Sequence, residues 1–176
     1  METHSSSMEF LIDENIAVIE RGREVLSLMD DESFARPVEG SGASSSLGKH
    51  FRHVINFYEN LVMCDEEVID YDQRIRDRRI EEQVRAADAK LADLAATLNT
   101  WKTEPEQRPR IGGIFVHGES GLKVNSDLGR ELKFVLEHSI HHFALVGLLM
   151  RQMGYDIPRE FGVAPSTIAY EKRSDG

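Results

Sequence analysis

The segment ELKFVLEHSIHHFALVGLLM, residues 131–150, carries apolar side chains at helical spacing on two sides at once. At 100° per residue, Glu131, Phe134, Val135, His138, His142, Leu145 and Leu149 fall within a sector of roughly 100°. The opposite side carries Leu132, Leu136, Ile140, Phe143, Gly147 and Met150. A helix apolar on two sides either lies centrally in its fold or buries one side against a partner. A helical core and a homodimer are both expected on this ground. Ser126 and Asp127 can start this helix, which should run to about Met153 and stop at Gly154, a residue suited to the left-handed C-terminal position.

Three earlier stretches share the helical period. From Phe10 to Met29, Ile12, Ile16, Ile19, Leu26 and Met29 recur on one face. A second helix is expected over about Leu47 to Met63, with Leu47, Phe51, Val54, Tyr58 and Leu61 on its stripe and Ser45 or Ser46 as its cap. The third runs from Ile80 to Trp101, marked by Val84, Ala87, Leu91, Leu94 and Leu98. Between them, Asp30 to Ser46 is rich in glycine and serine and reads as a loop. The charged run DEEVIDYDQRIRDRRIEEQ reads as a solvated connection. Within residues 103–125, IGGIFVHGESGLKVN offers a small hairpin around a GESG turn. The expectation is an all-α four-helix bundle over residues 8–157, with a small β-hairpin before the last helix. Residues 158–176 are expected to form an irregular tail packed on the bundle or trailing from it.

A chain of 176 residues with 40% hydrophobic content has the size and core material of one domain. Its 21 basic and 31 acidic residues give a net charge of -10, which repels phosphate backbones and anionic membrane surfaces. Neither nucleic acid nor a membrane is an expected partner. The single cysteine, Cys64, cannot form an internal disulfide, and METHSSSMEF has neither the basic nor the apolar region of a secretion signal. No apolar run approaches the roughly 20 residues that span a bilayer. A cytoplasmic protein is expected. Cys64 has no basic or helix-start environment to lower its pKa and is read as an inert thiol.

His138 and His142, at i and i+4, point the same way from one helix face and can close on one metal ion. His138 with His141, at i and i+3, is the competing and less central pair. A single histidine near a core is more often a hydrogen-bonded ring than a ligand. Several directed at one interior are better explained together, because each unpaired buried ring costs about 1–3 kcal/mol and a shared ion satisfies them all. A third donor must come from another helix, and the second offers His50 and His53. Glu131, two turns before His138, is a candidate general base or outer-shell acceptor, and equally a carboxylate stabilised at the first helical turn. His117 and His4 lack such company and read as surface histidines.

The segment SLGKHFRHVINFYE, followed at a distance by HxxxH on a long helix ending in LLMRQMG, resembles the DinB/YfiT superfamily of four-helix-bundle metalloproteins. The resemblance runs from about residue 10 to residue 155. FGVAPSTIAY and VIDYDQRIRDRRIE are similar to an uncharacterised DinB-like subgroup and extend it to nearly the whole chain. It implies a divalent metal, zinc or nickel above all, held by His53, His138 and His142, with His50 on a position that is usually apolar. HHFAL stands where an HRGQ-like sequence is common, so no arginine or glutamine role carries over from there. Relatives include S-transferases using low-molecular-weight thiols, a mycothiol-dependent maleylpyruvate isomerase and a metal-dependent hydrolase. The resemblance therefore implies a metal site more strongly than a reaction.

The favoured expectation is a metal-dependent enzyme that activates a thiol or water for attack on a small-molecule substrate, with thiol transfer as the reaction. Arg74, Arg78 and Arg130 are candidate cationic contacts for an anionic thiol cosubstrate, although charge balance with Asp70, Asp72, Asp77 and Glu81 explains each singly. Hydrolysis with Glu131 as base is the alternative. A non-catalytic metal-binding or dimerisation module is the third reading, its fourth ligand being His50, His141 or a carboxylate.

Overall fold

Four long helices hold most of the buried apolar residues: α1 (Ser7–Leu26), α3 (Leu47–Val62), α5 (Val84–Thr103) and α6 (Leu128–Gln152). The structure is a computed structural model that describes residues 7–38, 45–73, 77–116 and 121–174. Helices α1 and α3 each pack against both α5 and α6, so successive long helices α1 and α3 stand diagonally across the bundle. This arrangement makes α3 and α6 neighbours although their histidines are far apart in sequence. Among the described residues, no helix is long and apolar enough to cross a membrane.

The connections carry more structure than their composition suggests. Helix α2 (Asp31–Ala35) interrupts the expected loop: Asp30 caps it by accepting from the Ser33 amide at 2.7 Å, and Phe34 is fully buried. One buried phenylalanine and one cap suffice to hold a single turn that is too short to show a period. The expected third helix is split. Ile80 belongs to α4 (Arg78–Glu82), the backbone extends at Gln83, and α5 starts afresh with its Val84 amide donating to Asp31 at 2.8 Å. The charged run contributes a strand, β1 (Val68–Ile69), which pairs parallel with β2 (Gly113–Phe115). β2 pairs antiparallel with β3 (Lys123–Asn125), as expected of the two hairpin strands, and a third strand joins them in the order β1-β2-β3; residues 118–120 of the GESG turn lie outside the described residues. Ile69 is buried, which explains why two apolar residues survive inside a charged run.

The tail also departs from the irregular form expected of it, because Pro165–Ser174 is helical (α7). Ahead of that helix, Gly162 at φ +77 lies so close to Ala144 that a Cβ there would sit 2.5 Å from the Ala144 Cα. Only glycine combines that left-handed angle with such an approach. Phe161 stacks on Phe143 at 5.2 Å between ring centroids, Phe143 meets Phe51 at 5.3 Å, and Phe51 meets Phe34 at 5.7 Å. Rings from the tail, α6, α3 and α2 thus form one column through the core.

A buried polar knot fixes the helices relative to one another. Tyr58 donates to Asn15 Oδ1 at 2.8 Å, and Asn15 Nδ2 donates to the carbonyls of Leu11 at 2.7 Å and Leu132 at 3.2 Å. Tyr58 comes from α3, Asn15 and Leu11 from α1, and Leu132 from α6. Satisfied buried polar groups of this kind specify one packing register, since a slip would strand each of them.

Of the two apolar sides of α6, the one without histidines faces inward. The stripe with Leu132, Leu136, Phe143 and Met150 is the buried one, joined by Val135, Ser139 and Val146. The histidine sector lies at the edge, with Phe134 38% and Leu145 36% exposed. Angular spacing alone does not separate the two stripes, but burying the all-carbon one avoids the cost of burying imidazoles. That stripe is covered within the chain, while Leu148 on the same helix is 54% exposed.

Candidate metal centre

Helix α3 begins at Ser46, whose hydroxyl accepts from the Lys49 amide at 3.2 Å. This register directs Leu47, Phe51, Val54, Tyr58 and Leu61 into the core and leaves His50 and His53 on the side facing α6. Asp127 caps α6 by accepting from the Arg130 amide at 3.0 Å, and one turn separates His138 from His142 on the helix edge. His53, His138 and His142 each offer a ring nitrogen, and these atoms all lie within 4.8 Å of one another. Nε2 of His138 is 2.9 Å from Nε2 of His53. The ring centroids are 5.0 Å apart for His53 and His138, 4.5 Å for His53 and His142, and 4.6 Å for His138 and His142.

The electrostatics favour neutral rings. Burial pushes the His142 imidazole down to about 3, with further repulsion from His53, His138, His50 and His141. Burial, then His141, also lowers His138 and His50. Neutral imidazole is the form that binds a metal. Tetrahedral Zn–N bonds of about 2.0–2.1 Å place ligand nitrogens roughly 3.3 Å apart, a spacing this cluster reaches with small ring movements. The donor set fits a divalent ion.

An aromatic wall fixes one of the rings. His138 stacks on Phe57 at 4.0 Å and 23°, and Phe57 stacks on Tyr71 at 5.0 Å and 13°. Phe134 closes the group, 5.8 Å from His138 and 5.3 Å from Tyr71. Tyr71 is anchored in turn by donating to Glu131 Oε2 at 2.9 Å, and burial, then the Glu131 carboxylate, holds the phenol well above its usual range. Tyr71 therefore remains a donor.

Glu131 is fully buried at the first turn of α6. Its other oxygen accepts from Arg130 at 2.8 Å and from the Ser126 hydroxyl. Seven residues along an α-helix cover roughly 10 Å, so this carboxylate sits at the sheet end of the helix and not beside the histidines. Its partners are Tyr71, Ser126 and Arg130, which suits the helix-start reading better than that of an acceptor or a base beside the ion. Arg130 is committed to Glu131, and Arg78 pairs with Glu82 at 2.6 Å on an exposed face of α4. Arg74, His4 and His117 lie outside the described residues. His141 is exposed and meets His142 edge-on at 5.5 Å. His50 lies with Nδ1 3.0 Å from His142 Nδ1 and is not one of the three converging donors.

Sequence reasoning passed over Tyr71 and Phe57, and read Ser45 only as a candidate cap. Phe57 follows His53 by one helical turn, a spacing that could have drawn notice. Tyr71 sits in a charged run, and the nearby apolar residues Val68 and Ile69 are a hint of inward contacts there. Ser45 does not cap α3; its hydroxyl lies 2.9 Å from His50 Nε2.

A model of the DinB family matches residues 3–164. The chain belongs to the DinB family. A solved DinB-like structure, "YfiT from Bacillus subtilis is a probable metal-dependent hydrolase with an unusual four-helix bundle topology", superposes with a TM-score of 0.54. It is 19% identical and the match covers 89% of this chain and 93% of that one, which establishes the shared fold. Among curated proteins, FK506-binding protein 5 of Rhizopus delemar is 27% identical over 108 residues. That match covers 60% of this DinB family chain but 28% of the Rhizopus protein, so the chain spans little more than a quarter of that relative's length.

Proposed function

We propose that this DinB family protein is a metal-dependent enzyme whose divalent ion is held by His53, His138 and His142. The observation that carries the reading is the convergence of three half-buried imidazoles from two neighbouring helices within 4.8 Å. Such an ion supplies Lewis-acid chemistry and lowers the pKa of a water or thiol beside it. The chain's own residues hold neutral rings in place, wall one side with Phe57, Tyr71 and Phe134, and leave the histidine edge of α6 partly open.

Hydrolysis of a small substrate is the reading that agrees with the description of YfiT as a probable metal-dependent hydrolase. Thiol transfer is the second reading. It is favoured by the commitment of both Glu131 oxygens to Tyr71, Arg130 and Ser126, because a thiol needs less help from a base than water does. Zinc and nickel are the metals proposed, since imidazole ligands suit both.

The test begins with elemental analysis of purified protein and of His53→Ala, His138→Ala and His142→Ala. About one equivalent of divalent metal in the wild type and a loss in each variant supports the site. Negligible metal in all four after reconstitution overturns it. The loaded protein is then assayed with simple esters and amides, and with glutathione, bacillithiol and mycothiol against a generic electrophile. Turnover in the first set assigns hydrolysis, and turnover that requires a thiol assigns transfer.

A further inference from the structure

His50 lies between Ser45 and His142. Its Nδ1 is 3.0 Å from His142 Nδ1, and its Nε2 is 2.9 Å from the Ser45 hydroxyl. The rings of His50 and His142 are 5.3 Å apart at an interplanar angle of 46°. Ser45 is itself held, because its carbonyl accepts from the Val38 amide at 2.9 Å and its successor Ser46 caps α3. One line of contacts therefore runs from the helix start through His50 to a member of the three-histidine cluster.

Resting on the three-histidine reading above, we infer that His50 and Ser45 are positioning residues that fix the tautomer and orientation of His142 as a ligand. The assignment follows from counting protons. Two ring nitrogens 3.0 Å apart can share one proton, so one Nδ1 donates and the other accepts. With Nδ1 of His142 engaged by His50, Nε2 is the nitrogen left for the ion, and a neutral ring binding through Nε2 carries its proton on Nδ1. His142 Nδ1 is then the donor and His50 Nδ1 the acceptor. The His50 proton must reside on Nε2, where the Ser45 hydroxyl accepts it. Each position in the chain has one assignment.

A metal-binding histidine usually donates its second N–H to a carboxylate, a backbone carbonyl or a water, and loss of such an acceptor costs about 10–100-fold in metal affinity. Here a neutral imidazole takes that place. His50 thus orients His142 without adding a negative charge beside the ion.

The experiment is a competitive titration of the whole 176-residue chain with Zn²⁺ and with Co²⁺, the latter followed by its visible absorption. His50→Leu, which keeps bulk but removes the acceptor, should weaken binding by about 10–100-fold. His50→Asn places an oxygen where Nδ1 stood and should bind within a few-fold of wild type. Ser45→Ala should give an intermediate loss. The Co²⁺ spectrum of His50→Asn should match that of wild type. In the zinc-loaded protein, ¹⁵N shifts should report Nδ1–H at His142 and Nε2–H at His50. Unchanged affinity in His50→Leu, with wild type binding tightly, overturns the positioning role and leaves the metal site standing. Equal weakening in His50→Leu and His50→Asn with an altered Co²⁺ spectrum also overturns it, by making His50 a direct ligand. Failure of wild type to bind either ion removes the three-histidine reading and this inference with it.

Discussion

The hydroxyl of Tyr71 donates to the buried carboxylate of Glu131 over 2.9 Å, joining the segment after β1 to the first turn of α6. Because Tyr71 stacks on Phe57 and Phe57 on His138, this bond supports the aromatic wall that steadies one of the three converging rings.

Tyr71→Phe keeps the ring stack and removes the hydrogen bond to a buried charge. Hydrogen bonds to charged groups contribute about 1.5–3 kcal/mol, so urea denaturation should show a loss in that range, reduced to the extent that Ser126 and Arg130 still serve Glu131. A stability change under about 0.5 kcal/mol, the usual size for an inconsequential surface change, would mean that Glu131 is adequately held without Tyr71.

Metal loading should raise the melting temperature. A ligand that binds only the folded state stabilises by about 2.7 kcal/mol at one hundred times its Kd. For a chain of this size that corresponds to about 5–11 °C. Scanning calorimetry with and without excess Zn²⁺, and after chelation, reads the effect. The triple variant His53→Ala, His138→Ala, His142→Ala should show no shift, and an equal shift there would place the binding elsewhere.

Cys64 should react slowly with alkylating reagents at neutral pH. Burial pushes its thiol above the usual range, outweighing the Glu66 and Glu67 backbone amides that favour the thiolate. The thiolate fraction, and with it the rate, should therefore rise only at distinctly alkaline pH. A rate profile with iodoacetamide in native protein that reaches its midpoint at or below that of a free cysteine peptide would contradict this.

Gly48→Ala should be destabilising although alanine is the better helix former. A Cβ at Gly48 would lie 2.0 Å from the Glu81 carbonyl oxygen, so α4 must move away from the start of α3. Overpacking of this type costs about 1–3 kcal/mol. The companion change Gly154→Ala meets no neighbour but sits at φ +88, so its cost comes from the backbone angle alone. Chemical denaturation of the pair separates the two causes.

The long helices were legible because Ile12 to Leu26, Leu47 to Leu61, Ala87 to Leu98 and Leu132 to Met150 each sustain the helical period over several turns. Helices α2 and α4, each five residues long, and the two-residue strand β1 are too short to carry a period. They exist through long-range contacts such as the Asp31 carboxylate on the Val84 amide, which no local pattern announces. The HxxxH pair was legible for the same reason as the helix that bears it. The inner side of α6 was not, since spacing does not separate two stripes of similar apolar content and only the cost of burying the imidazoles of His138 and His142 tells them apart. Glu131 illustrates the limit most clearly: spacing put it on the histidine face, but the donors that occupy it, Tyr71, Ser126 and Arg130, come from three different local contexts.

The column of rings from Phe34 through Phe51 and Phe143 to Phe161 bears on how the protein opens. Each inner ring has a neighbour on both sides, so withdrawing the segment that carries Phe161 uncovers Phe143, and shifting Phe143 loosens Phe51 between His50 and Arg52. Short elements at opposite ends of the sequence are thereby enrolled in one cooperative unit rather than fraying on their own. In hydrogen exchange, the amides of α2 and those around Phe161 should rise and fall in protection together with the histidine-bearing turns of α3 and α6.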